Sequence, residues 1–161
     1  MASETDKAYA AGLFDGEGSV SVGYRKAATK STKMTYQVSA VLAMVDEPSI
    51  LWLASVFGGY IDTTSRPATE RPVYRWKLYG RKDADFFEVI LPYLKLKRAR
   101  AEAAMNLARM ARKKGSPKGH YGMLPMTDVE IEVQRPLAEF IRSENLRSNS
   151  RIANYSKWGV N

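Results

Sequence analysis

The chain has no cysteine and only one histidine, His120, in 161 residues. Disulfides and thiolate zinc sites are thereby excluded, and so is any cluster of several histidines around a metal. A metal bound by this chain must be a hard cation held by oxygen. Long apolar runs are also missing, since none approaches the roughly 18 residues that a bilayer-spanning helix needs. Met1 to Lys7 is polar and does not resemble a leader. The expectation is a soluble, intracellular protein with no membrane partner. Acid is scarce in two stretches. Gly18 to Val45 contains none while carrying Arg25, Lys26, Lys30 and Lys33, and between Lys95 and Lys118 nine lysines and arginines meet only Glu102. The second stretch alone carries an excess equal to the net charge of the whole chain, +8, so the remainder sums to zero. Two basic runs and a basic tail (Arg142, Arg147, Arg151, Lys157) favour a polyanionic partner over a merely solvated surface, with nucleic acid the polyanion expected.

What is present suffices for one domain, residues 1–161, in which 145–161 forms a basic C-terminal tail. The 45% hydrophobic content allows a real core. Thr5 or Asp6 caps a first helix that the glycines at 16 and 18 stop. From Ser19 the period becomes two, which predicts a strand; a turn-rich basic link and a second strand, Tyr36 to Val45, complete a hairpin. Asp46, as cap, and Pro48 open a helix that ends at Gly58-Gly59, with Leu51, Trp52, Ser55 and Val56 on its buried side. Tyr60 to Thr64 and Val73 to Tyr79 form a second hairpin, whose outer face carries Arg75 and Lys77. Helices follow over Arg81 to Leu91 and Lys95 to Lys114. Thr127 to Glu130 fits a capping box, and Pro136 breaks or restarts that last helix before Leu137 to Asn145. The tail from Arg147 reads as polar chain that orders on binding. Trp52, Trp76, Phe86 and Phe87 belong to the core, and His120 to a loop. No dinucleotide loop, Walker loop or nucleophilic triad is present.

One stretch organises the rest: Ala10-Ala11-Gly12-Leu13-Phe14-Asp15-Gly16-Glu17-Gly18. It sets two carboxylates at the glycine-rich end of a helix whose residues 8, 12 and 16 are all small and share one face. An acid beside glycines is ordinarily a turn or cap residue. The stretch resembles the motif that names the LAGLIDADG homing endonucleases. Gly12, Leu13, Asp15 and Gly18 match it, Phe14, Gly16 and Glu17 are conservative variants, and Ala10 departs at the opening leucine. The element order is that family's α+β core, αββαββα, here with extra C-terminal helices. Leu91-Pro92-Tyr93-Leu94-Lys95-Leu96-Lys97 is similar to a segment that delivers a lysine to the active site in single-motif members. Met44-Val45-Asp46 is similar to the place where they set a polar residue that orients water. Ile50 stands where a family member has a basic residue.

The resemblance implies a site-specific endonuclease that makes a double-strand break in a long, nearly palindromic DNA target, using Mg2+ or Mn2+. Glu17, as the motif's second acid, and the Gly16 carbonyl would hold the metal. Glu17, Asp46 and Lys97 would be the catalytic set. One copy of the motif in a chain of this length implies a homodimer, joined through Ala8, Gly12, Leu13, Asp15 and Gly16, with Asp15 in a structural role. The two hairpins would form a saddle on double-stranded DNA, with Ser21, Arg25, Gln37, Ser39, Arg75 and Lys77 toward base edges. Lys26, Lys30, Lys33, Lys113, Lys114, Lys118, Arg147 and Arg151 would supply charge to phosphates. The alternative is a non-catalytic nucleic-acid binder of the same fold, an intron maturase or a repressor.

Overall fold

Ser3 begins the first helix in this computed structural model, which describes residues 2–26, 34–64, 71–110 and 127–156, the main chain alone at 25, 26, 34 and 147–156. Helix α1 (Glu4–Glu17) opens on a reciprocal capping box: the Ser3 hydroxyl accepts from the Asp6 amide at 3.1 Å, and the Asp6 carboxylate accepts from the Ser3 amide at 2.8 Å. The cap therefore lies before the expected Thr5 or Asp6, and Asp6 is its three-residue partner. Nor do the glycines stop the helix by turning left-handed. Gly18 has an extended φ of −75° and is already the first residue of strand β1 (Gly18–Lys26). Its lack of a side chain serves a close approach, because a Cβ there would lie 2.4 Å from the Phe14 ring and 2.6 Å from the Phe14 carbonyl oxygen.

Strand β1 pairs antiparallel with β2 (Met34–Met44), placing Val20 opposite Ala40 and Val22 opposite Val38. Helix α2 (Glu47–Phe57) is capped by Asp46, whose Oδ2 accepts from the Ser49 amide at 3.0 Å. It ends at Gly58, where φ is +69°, a conformation that glycine adopts at little cost. Its fully buried residues are Ile50 and Leu53, with Ala54 and Phe57 partly buried beside them. The expected buried set was thus out of phase, and Leu51 and Ser55 are exposed. Positions 50, 53, 54 and 57 form the coherent helical stripe, while Trp52 leans sideways onto Tyr9, ring centroids 4.9 Å apart.

Strands β3 (Tyr60–Thr64) and β4 (Val73–Lys77) form the second hairpin, and β4 also pairs with β2, giving one antiparallel sheet in the order β1-β2-β4-β3. Then come α3 (Arg81–Ile90), a 3-10 turn at Leu91–Tyr93, α4 (Arg98–Met110) and α5 (Asp128–Ser156). Thr127 and Glu130 make the expected capping box. Pro136 does not break α5, because it lies exposed on the solvent side while Gln134, Ala138 and Ile141 bury the other side. The missing helical hydrogen bond is offset by the packing of that buried face. The tail expected to be irregular continues as helix to Ser156.

Every helix packs against the sheet or against a neighbouring helix on one side of it. Val20, Val38, Ala40, Leu42 and Trp76 point to that side and are buried. Aromatic edges tie α1 into the core, with Phe14 5.8 Å from Phe86 and 5.4 Å from Phe87, and Phe86 4.9 Å from Trp76. On the other side Ser19, Ser21, Ser39, Val41, Lys77, Arg75 and Asp62 form an open face that no described element covers.

Candidate metal centre and nucleic-acid face

The C-terminal end of α1 is held by two reciprocal contacts with the segment ahead of α4. Asp15, half-buried, accepts three main-chain N–H bonds: from Lys95 at 2.7 Å and Leu96 at 3.1 Å to Oδ2, and from Lys97 at 2.9 Å to Oδ1. Consecutive amides converging on one carboxylate form an anion nest. They fix the main chain just ahead of α4, which starts at Arg98 and not at Lys95. In return the Lys97 ammonium donates to the carbonyl oxygens of Phe14 at 2.9 Å, Gly16 at 3.3 Å and Gly18 at 2.7 Å. Its three protons meet three acceptors at the negative end of α1. Burial pulls the Lys97 pKa below its usual value and Arg100 adds to this, while Asp15 and Glu17 work against it.

Glu17, the last residue of α1, is exposed and hydrogen-bonded to no described residue. The structure thus gathers Lys97, the Gly16 carbonyl and Glu17 at one helix end. Asp46 stands apart from them at the start of α2, exposed, its carboxylate held below the usual range by the hydroxyl and amide of Ser49. Ile50 is fully buried and presents nothing to a site. Among the described residues no three acidic or histidine side chains converge. At this helix end a cation could meet the Glu17 carboxylate, a main-chain carbonyl and outside oxygens.

On the open face, Ser21 lies directly opposite Ser39, and Gln37 opposite Gly23. Arg75 and Lys77 are there too, yet not as free cations. Asp62 of β3 ion-pairs with Lys77 and lies 3.7 Å from Arg75, which also donates to the Thr64 hydroxyl at 3.3 Å. Lys77 and then Arg75 hold the Asp62 carboxyl below its usual range. Asp62 escaped sequence reasoning because the expected hairpin carried no register; the pairing Asp62 opposite Arg75 is what brings the charges together.

Arg142, counted with the basic tail, instead braces β1. Its guanidinium donates to the Tyr24 hydroxyl at 3.0 Å and the Val22 carbonyl at 3.4 Å and lies 4.5 Å from the Tyr24 ring centre. Asn145 adds a bond to the Val20 carbonyl at 2.9 Å. Together they cover an edge strand's outward carbonyls. Arg25 and Lys26 stand in β1, and Arg147 and Arg151 in α5, by main chain only; Lys30, Lys33, Lys113, Lys114, Lys118 and His120 lie outside the described residues.

No family model and no curated sequence matches the chain. Solved structures do. The homing endonuclease I-CvuI, bound to its target in the presence of calcium, aligns with a TM-score of 0.63 at 17% identity over 86% of this chain and 80% of its own. This chain has the LAGLIDADG homing endonuclease fold. The LAGLIDADG meganuclease I-SmaMI, bound to uncleaveable DNA, gives a TM-score of 0.63 at 17% identity over 83% of this chain but only 44% of its own. The archaeal intron-encoded homing endonuclease I-Vdi141I, complexed with DNA, gives 0.52 at 11% identity over 89% and 98%. In this fold the stretch that resembles the name-giving motif, Ala10 to Gly18, divides its two acids: Asp15 is locked into its own chain, and Glu17 is left outward.

Proposed function

We propose that the chain is a single-motif LAGLIDADG homing endonuclease that works as a homodimer and cuts both strands of a long, nearly palindromic DNA target. The observation that carries this reading is the end of α1, a helix end fixed by the Asp15–Lys97 clasp that presents an exposed carboxylate and a main-chain carbonyl, together with a sheet whose open face is lined with polar and basic side chains.

One carboxylate and one carbonyl per chain suit Mg2+ or Mn2+, which keep several waters and take further oxygens from phosphate. Glu17 and the Gly16 carbonyl would hold the ion. Bound there, it would offset charge developing on the scissile phosphate and make water a better nucleophile. Lys97, its protons committed to three carbonyls, acts by positioning that helix end. Asp46 would orient water from the start of α2. The dimer rests on the exposed small face of α1. A Cβ at Gly12 or Gly16 would meet nothing within 4 Å, so packing within the chain does not require glycine there, and a second backbone explains it. Ala8 and Leu13 continue that surface, while Asp15 supports it from behind. Ser21, Arg25, Gln37, Ser39, Arg75 and Lys77 would read base edges, and the remaining basic residues would neutralise phosphates.

The test is linearisation of a supercoiled plasmid carrying a target recovered by cleavage selection from a randomised duplex library, with Mg2+ present. Glu17→Gln should lower cutting by about 100-fold or more while binding persists; equal cutting would remove Glu17 from the metal site. The second reading, a non-catalytic binder such as an intron maturase or repressor, is favoured by the buried Ile50 and by the saturation of Lys97. Tight, salt-sensitive binding without metal-dependent nicking selects it.

A further inference from the structure

The open face carries a feature that reduces its attraction for DNA in general. Asp62 is the acid among its described side chains, and it sits against both cations of β4, Lys77 and Arg75. Arg75 is further bonded to Thr64, two residue pairs along the same β3–β4 ladder and on the same face. The face is thus half-neutralised where the net charge would otherwise peak.

Two physical consequences follow for a face that meets duplex DNA. First, a fixed carboxylate repels phosphates, and each cation it occupies is withheld from the counterion exchange that drives sequence-independent binding. Second, a guanidinium held at two points loses less conformational freedom on binding. It also keeps donors free for the bidentate contact with a guanine edge.

We infer that Asp62 is a specificity-determining residue of the DNA-reading face: it suppresses backbone binding by Arg75 and Lys77 and presents Arg75 to a base. This rests on the nuclease-fold reading above, and its own test separates the two. Equilibrium binding of the full chain to random-sequence duplex and to the selected target is measured across a salt series for the wild type, Asp62→Asn and Arg75→Lys. Asp62→Asn should raise affinity for random duplex by about tenfold and steepen the salt dependence by about one released counterion. It should also lower discrimination against substitutions at the base pair Arg75 reads by about tenfold. Arg75→Lys should lose that same discrimination without the gain in random-duplex affinity, since it keeps the charge and loses the fork. Unchanged salt slope and discrimination in Asp62→Asn overturn the inference while the nuclease reading stands. Failure of the wild type to bind duplex DNA overturns both.

Discussion

Asp15 and Lys97, 82 residues apart in sequence, each complete the other's element. The carboxylate binds the main chain that leads into α4, and the ammonium binds carbonyls at the end of α1. Removing Asp15 leaves the half-buried Lys97 amide without its acceptor, and removing Lys97 leaves the half-buried Phe14 and Gly18 carbonyls without its ammonium. Asp15→Asn and Lys97→Met should each cost about 2 kcal/mol. Because both act on the same joint, the double variant should fall short of the sum by about 1 kcal/mol, as chemical denaturation in a double-mutant cycle would measure. Additive losses would mean the two contacts are independent. Sequence reading could assign Asp15 a structural role, since one of two acids in a glycine-rich turn is commonly local. Its partner amides, eighty residues onward, carry no side-chain signature and stayed hidden. Lys97 was visible as a motif lysine, but its three carbonyl partners were not.

At the scale of the element, α1 has two unlike faces. Ala10, Ala11 and Phe14 are buried, while Ala8, Gly12 and Gly16 are exposed. Glycine in an exposed helix interior costs about 1 kcal/mol relative to alanine, and no contact within the chain offsets it at Gly12. Gly12→Leu should therefore leave the isolated fold as stable or slightly more so, and at the same time move the protein from dimer to monomer on a sizing column. A lowered melting temperature at monomer concentrations, or an unchanged dimer, would refute this. The small-residue spacing was plain in the sequence. Which face of α2 is most deeply buried was not, because Leu51, expected inward, is exposed, while Ile50 and Leu53 are fully buried and Trp52 packs at the core's margin against Tyr9 and Phe57.

For the whole molecule, stability depends on a buried acid in α3. Asp83 of α3 is fully buried and its Oδ1 accepts from the Ala40 amide at 2.6 Å, just where Ala40 bonds through its carbonyl to Leu78 at 2.9 Å and the β2–β4 ladder ends. Burial, against the opposing effect of amide bonds from Ala40 and Gly80, pushes its pKa up to about 7. A folded-state pKa above the unfolded one means the native chain binds the extra proton, so Asp83's contribution to stability is complete below about pH 4 and is lost as pH rises through about 7. The loss is of the order of 4 kcal/mol for about three units. Asp83→Asn should flatten that slope in denaturation curves taken from pH 4 to 8 against the wild type, and identical pH profiles would show that Asp83 does not titrate in this range. The amino-acid sequence by itself determined the lack of thiolate and clustered-histidine metal ligands, the two basic runs, the resemblance of Ala10 to Gly18 to a family motif and the order of helices and strands, because composition and periodicity are local properties of the chain. Tertiary structure alone decided which of the motif's acids is free, how Asp62 meets Arg75, that Arg142 braces a strand, and that Asp83 is buried. Each of these depends on a strand register or a helix packing that brings distant residues together, and it is there, rather than along the chain, that charges gain or lose their partners.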